Sequence, residues 1–312
     1  MKKTAFLFPG QGSQSVGMGQ EFYQEYDIVR EIFDMSEEIT RINLSKLCFK
    51  GPMEDLTMTV NLQPAVTAVN LACLAVIQKE GISAPFCAGH SLGEYSALCA
   101  SDAISREDTF KLVFKRGKLM HREATKYAGA MHALVGLAID EVDTLVNEVQ
   151  RDGVVSVANH NTEKQIVITG TPEPVSTVSS LAVEKGAKSI PLKVSGAWHS
   201  TLIQGAQAEF KEFLDHFSFN SPECKIIFNV TAEAEQDPDE IRAILARQLC
   251  SPVKWYDSIG KLIEEQVEIF VEVGPGRVLS GILKKILPGD FHGKTYNVSN
   301  MKQLEKFLNE TT

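Results

Sequence analysis

The stretch of this chain best suited to covalent chemistry is Gly89-His90-Ser91-Leu92-Gly93, a serine with a glycine two residues away on either side. A serine at the apex of a sharp strand-to-helix turn exposes its hydroxyl, and small neighbours let the strained turn close. The same turn aims the Leu92 amide at the place where an oxyanion would form, and the helix that follows adds its positive N-terminal end. A serine nucleophile needs a base. Of the seven histidines, His199 sits in a loop of small residues, Ser195-Gly196-Ala197-Trp198-His199-Ser200, between an expected strand and an expected helix, where a ring can reach a cleft. His90 is directed away from Ser91 along the turn and is read as ordering the elbow.

Three further places carry chemistry-bearing residues. Pro9-Gly10-Gln11-Gly12-Ser13-Gln14 follows an apolar strand and holds half of a dinucleotide fingerprint, but Ser15 stands where the third glycine belongs. The loop is either a plain turn or a means of bringing an amide, that of Gln11, beside Ser91 as a second oxyanion donor. Arg116 lies in a helix with Lys115 and Lys118, either as a solvated charge or pointing into the Ser91 cleft. Gly274-Pro275-Gly276 lacks the Lys-Ser/Thr of a Walker motif and reads as a tight strand-to-helix turn.

The elements that must position these residues follow from periodicity. Residues 4–8 and 85–88 read as strands, and 94–99 as the start of a helix. Residues 27–39 form an amphipathic helix with Ile28, Ile32 and Phe33 on one face. Residues 63–80 are apolar nearly all round, with Pro64 at the helix-opening position, and read as a buried helix. Ser105 and Asp108 have capping-box spacing ahead of the helix that carries Arg116. From 131 to 193 the order is strand 131–137, helix 140–150, strands 154–158 and 165–169, helix 172–185, strand 187–193. That βαββαβ order is the split pattern of a ferredoxin-like unit. The chain resumes with a helix over 202–213, a strand over 225–229, a helix over 238–250, a strand over 267–273 and a helix ending near 286.

With 312 residues and 44% hydrophobic content, the chain is long enough for one large domain with a smaller one attached. The expected division is a large subdomain of residues 1–126 and 196–312, with a small subdomain, 127–195, inserted. A net charge of −9 argues against nucleic acid as a partner. The apolar run after Lys2 and Lys3 is too short for a signal peptide, and no run approaches the ~20 apolar residues of a membrane span. The six cysteines form no Cys-x-x-Cys pair, so neither disulfides nor a metal site is expected, and the protein is read as cytoplasmic.

Taken together, the loop Phe8–Gln14, Gly89-His90-Ser91-Leu92-Gly93-Glu94, Arg116-Gly117, His199, Gln248-Leu249 before Ser251-Pro252-Val253, and Glu272-Val273-Gly274-Pro275-Gly276 resemble the malonyl-CoA:acyl carrier protein transacylases of bacterial type II fatty-acid synthesis. The resemblance implies an α/β-hydrolase-like core with a parallel sheet plus the inserted ferredoxin-like subdomain. It implies Ser91 as nucleophile, His199 as general base, and the Gln11 and Leu92 amides as the oxyanion hole. Arg116 would pair with the malonyl carboxylate, a backbone carbonyl near Gln248 would orient His199, and His90 and Trp198 would border the substrate. The cycle would be ping-pong through a malonyl-Ser91 ester, with malonyl-CoA and acyl carrier protein as partners and no cofactor. Trp198 departs from the serine of many bacterial members, which makes malonyl strictness a separate question. From the residues alone, a serine hydrolase or thioesterase with the same elbow stays open, as does a catalytically silent interaction module.

Overall fold

A computed structural model of the chain describes residues 2–311. Its parallel sheet is built around β1 (Thr4–Phe8), whose last four residues are buried; a strand covered on both faces reads as a continuous apolar run. β2 (Phe86–Gly89), β7 (Lys225–Ile227), β8 (Ile269–Val273) and β9 (Lys294–Val298) complete five strands in the order β7-β2-β1-β8-β9, every pair parallel. β1 pairs with β2 on one side and β8 on the other, with Phe8 opposite Gly89 and Leu7 opposite Glu272. The C-terminal ends of the three strands are therefore level, and their loops open on one edge, at the switch in strand order where α/β sheets bind ligands.

The second sheet is antiparallel, β4-β5-β3-β6, from β3 (Ala130–Val135), β4 (Val155–Thr162), β5 (Gln165–Gly170) and β6 (Lys188–Pro191). Period-two alternation divides its side chains. Leu134, Ile166 and Ile168 face the helices Ile139–Val149 and Pro172–Glu184 in a core of their own, while Met131, Ala133 and Val167 join the main core. β4 is tied to the larger part of the fold by backbone bonds from Val253 N to Ala158 O (2.8 Å) and from His160 N to Val253 O (2.9 Å).

The expected buried helix is present but begins at Thr59 and runs to Lys79, so Pro64 lies inside it and not at its opening. The helix is apolar and long enough to cross a membrane, unlike the expectation from its composition, yet 89% of its apolar window is buried inside the protein. Burial on all sides explains how it tolerates an interior proline, which costs about 3 kcal/mol in an isolated helix. Ser105 caps the helix Arg106–Lys126 through the Asp108 amide. The segment after His199 forms a short 3-10 turn, Thr201–Ile203, before the helix Gln204–Leu214. The helices Trp255–Glu264 and Met301–Thr311, with β9, have no counterpart in the sequence reading.

Candidate active site

The turn between β2 and the helix Gly93–Ala100 closes as tightly as its glycines require: a Cβ on Gly89 would fall 1.9 Å from the Gly93 carbonyl carbon. Ser91 has φ 50°, a left-handed conformation that costs a non-glycine residue about 1–3 kcal/mol. The asparagine after β7 holds it there. Ser91 N donates to Asn229 Oδ1 at 2.6 Å, and Asn229 Nδ2 donates to Gly89 O at 2.7 Å. The elbow is thus clamped across its apex by one buried side chain.

His199 Nε2 lies 2.9 Å from Ser91 Oγ, and its Nδ1 lies 3.0 Å from both Gln248 O and Ser251 O. Carbonyls only accept, so Nδ1 carries the hydrogen and Nε2 presents its lone pair to the serine hydroxyl. The ring is oriented by backbone, not by a carboxylate. Burial, then the charge of Arg116, push the imidazole down to about 3, which keeps it in the neutral form a general base needs. His199 is also left-handed, with φ 61°.

The loop after β1 lies against the elbow. A Cβ on Gly10 would sit 2.4 Å from His90 O and 3.5 Å from Leu92 N, so only glycine lets the two backbones approach this closely. Asn70, from the buried helix, secures the loop by donating to Pro9 O at 3.0 Å. The Gln11 and Leu92 amides have no acceptor among the described residues, and both residues line the cavity over Ser91. Two free amides beside a nucleophile are what an oxyanion hole is built from.

Arg116 is 1% exposed and points into this cavity. Its Nη1 donates to Gln63 Oε1 at 3.0 Å; its Nη2 donates to Ser91 Oγ at 3.0 Å and Gln248 Oε1 at 3.1 Å. Its Nε has no acceptor among the described residues. Of the two sequence readings, the cleft holds and the solvated charge does not. The cavity, about 100 Å³, is lined on its apolar side by Trp198, Met120, Met131 and Leu192. Trp198 is buried, its ring folded back over Gly196. His90 borders the cavity and orders the elbow through a 3.0 Å contact from Nε2 to Asn161 Oδ1. A larger depression of about 570 Å³, lined by Glu233, Tyr256 and Lys261 among others, contains no paired nucleophile and base, so size does not locate the chemistry. Among the described residues, no group of three His, Cys, Asp or Glu side chains could hold a metal ion.

Sequence reasoning missed Gln63, Asn229 and Glu94. Gln63 and Asn70 are buried polar residues in an otherwise apolar helix, a signal that was readable. Glu94 is likewise an acid in a buried helix start. Asn229 gives no such signal, because its partner is 138 residues away in sequence.

An acyl transferase domain family model matches residues 5–305. The malonyl CoA-acyl carrier protein transacylase of Bacillus subtilis (strain 168) is 43% identical over 307 residues, covering 98% of this chain and 96% of that protein. The chain belongs to the malonyl-CoA:acyl carrier protein transacylase family. It is an acyltransferase. Among solved structures, an acyl carrier protein S-malonyltransferase from Vibrio cholerae superposes with a TM-score of 0.93 at 37% identity, covering 98% of this chain and 99% of that one. A malonyl-transacylase solved in complex with its type II PKS acyl-carrier protein gives a TM-score of 0.95 at 34% identity, covering 99% and 100%.

Proposed function

We propose that this enzyme transfers the malonyl group of malonyl-CoA to the phosphopantetheine thiol of an acyl carrier protein through a malonyl-Ser91 ester. The observation that carries the reading is the position of Ser91 Oγ, 2.9 Å from the His199 base and 3.0 Å from the buried Arg116 cation. A carboxylate can leave water only where a fixed charge meets it, and the planar guanidinium meets both of its oxygens.

In the first half-reaction Ser91 Oγ attacks the thioester carbonyl carbon as its proton passes to His199 Nε2. The Gln11 and Leu92 amides hold the resulting oxyanion. The C–S bond then breaks, and the CoA sulfur takes the proton from Nε2. In the second half the carrier thiol gives its proton to His199 and attacks the ester carbonyl, and Ser91 Oγ leaves with that proton. Gln248 O and Ser251 O stabilise the transient imidazolium from the Nδ1 side, the role a carboxylate has in a triad.

The same reading takes the parallel sheet with its serine elbow as an α/β-hydrolase-like core. It takes the antiparallel sheet and its two helices as a ferredoxin-like subdomain, supported by the order β4-β5-β3-β6 and the separate core. The large subdomain is 1–126 and 196–312 and the small one 127–195, residues 1 and 312 lying outside the described residues. The enzyme acts in the cytoplasm, a reducing compartment compatible with six free cysteines.

The test is intact-mass measurement after mixing with malonyl-CoA. The reading expects one malonyl group on the protein, lost on addition of holo-carrier and recovered on the carrier. Release of free malonate without transfer, at the same rate with and without carrier, would make the protein a thioesterase.

A further inference from the structure

Glu94 has no exposed surface, yet the reaction described above does not use it. Its two oxygens face two donors: Oε1 accepts from the Asn229 amide and Oε2 from Gln248 Nε2. These partners bring two distant segments to the elbow, since Asn229 clamps Ser91 and Gln248 ends the helix Pro238–Gln248.

The orientation of the Gln248 amide is fixed by chemistry. Arginine has donors only, so the oxygen 3.1 Å from Arg116 Nη2 must be Oε1, and the NH2 group must turn toward Glu94 and Ser91 O, the latter at 3.0 Å. Both amide hydrogens and the oxygen are then used. A continuous chain results: Arg116 donates to Gln248, and Gln248 donates to Glu94. In a low-dielectric interior such bonds polarise one another, and the charged ends strengthen both links. His199 depends less on this chain, because its Nδ1 has Ser251 O as a second acceptor.

We propose that Glu94 is a positioning residue for acyl selectivity: acting through Gln248, its carboxylate fixes the Arg116 guanidinium and so sets the preference for malonyl over an uncharged acyl group. The proposal rests on Arg116 as the partner of the malonyl carboxylate. Burial pushes the Glu94 carboxyl up to about 8, against the pull of the Asn229 amide, Gln248 and Arg116. The test therefore belongs above that value, at about pH 8.5, where the group is ionised.

Glu94→Gln keeps the shape but offers one acceptor where two donors wait, so an NH2 must face either the Asn229 amide or the Gln248 NH2. The measurement is kcat/KM for malonyl-CoA and acetyl-CoA in wild type, Glu94→Gln and Arg116→Ala, with folding checked by circular dichroism and melting. Glu94→Gln is expected to lower the malonyl-to-acetyl ratio about tenfold, as for one charge-assisted link. In a Gln248→Met background the same change is expected to leave the ratio where Gln248→Met alone puts it. A ratio unchanged in folded Glu94→Gln, with both substrates slowed equally or not at all, would overturn the proposal. Should that variant not fold, Glu94→Asp is read instead: it keeps the charge but withdraws the oxygens from Gln248, and an unchanged ratio counts against the proposal in the same way. If Arg116→Ala also leaves the ratio unchanged, the reading of Arg116 fails as well; a fall in Arg116→Ala alone rejects only the role of Glu94.

Discussion

Arg116 Nη2 lies 3.0 Å from Ser91 Oγ, so the cation proposed to meet the substrate also touches the nucleophile. Entering malonyl carboxylate exchanges a hydroxyl for a charged acceptor, a gain available to no uncharged acyl group. Removing one partner of a buried pair costs about 3–5 kcal/mol, or roughly 10² to 5 × 10³ in rate. Arg116→Ala is therefore expected to lose malonyl transfer by about that factor while acetyl transfer is unharmed or improved, and Arg116→Lys to recover only part. Paired kcat/KM measurements decide it; equal losses on both substrates would make Arg116 a structural residue. A drop in melting temperature is expected too, since Gln63 Oε1 and Gln248 Oε1 lose their donor.

Ser91→Ala should abolish the acyl adduct seen by intact mass. His199→Ala should slow its formation by roughly 10² to 10⁴, the usual worth of a general base. An adduct that persists without the Ser91 hydroxyl would place the ester on another residue.

What the sequence made legible divides by distance along the chain. The elbow, the Ser105 cap and the period-two strands are local patterns, and the structure has them where the spacing put them to within a few residues. Pro64 misled because its helix-opening preference is local while burial of the helix is not. For Arg116, spacing left two readings open, and only the packing of Arg106–Lys126 beside the elbow turns it inward. Gln63 and Glu94 stand out in the sequence as polar residues in apolar stretches, but their partners, like Asn229 itself, are legible only after the fold joins segments that the sequence keeps apart.

Trp198 is buried beside His199 and forms part of the cavity wall. In about 100 Å³ a large ring leaves little room for an α-methyl group. Methylmalonyl-CoA is expected to be the poorer substrate by about 1–3 kcal/mol, the value of one methyl in such a pocket. Trp198→Ser should narrow that gap in competition assays. Equal transfer of both groups by the wild-type protein would show that the ring sets no limit.

Carrier docking can be tested at exposed lysines of the small sheet unit and of the helix Val278–Ile286. Lys188 is exposed at the start of β6, Lys193 is exposed just after it and next to the cavity residue Leu192, and Lys284 and Lys285 are exposed on the helix Val278–Ile286. Lys185, on the same small sheet unit, completes the group. This chain carries a net charge of −9, so an acidic carrier must find a local basic surface. Lys188→Glu with Lys285→Glu is expected to raise KM for the carrier several-fold, more at low salt, and to leave KM for malonyl-CoA unchanged. Equal shifts for both substrates would place the effect in the active site.

The pH dependence of acylation follows from the surroundings of His199. A histidine near its ordinary value of 6.5 would be mostly protonated at pH 5, and a base-dependent step would fall about thirtyfold between neutrality and that pH. Burial and Arg116 hold this ring down to about 3, so the neutral form persists throughout the window. Glu94, pushed up to about 8, keeps its proton in the folded protein over the same range and so adds no titration to the rate. The rate of malonyl-enzyme formation per folded molecule should therefore be nearly flat from pH 7 to pH 5 and fall only toward pH 3. Stability should also fall on the acid side. The unfolded chain's histidine takes up a proton below about 6.5 and the folded one does not, which costs stability as pH drops from 6.5 toward 3. Glu94, protonated in the fold but not in the unfolded chain above about 4.5, offsets that cost down to its ordinary value, so the net loss from this pair falls between about 4.5 and 3. Quenched-flow acylation with an active-site count separates the two effects. A thirtyfold loss in rate by pH 5, with the count of folded sites unchanged, would mean that His199 titrates in its ordinary range.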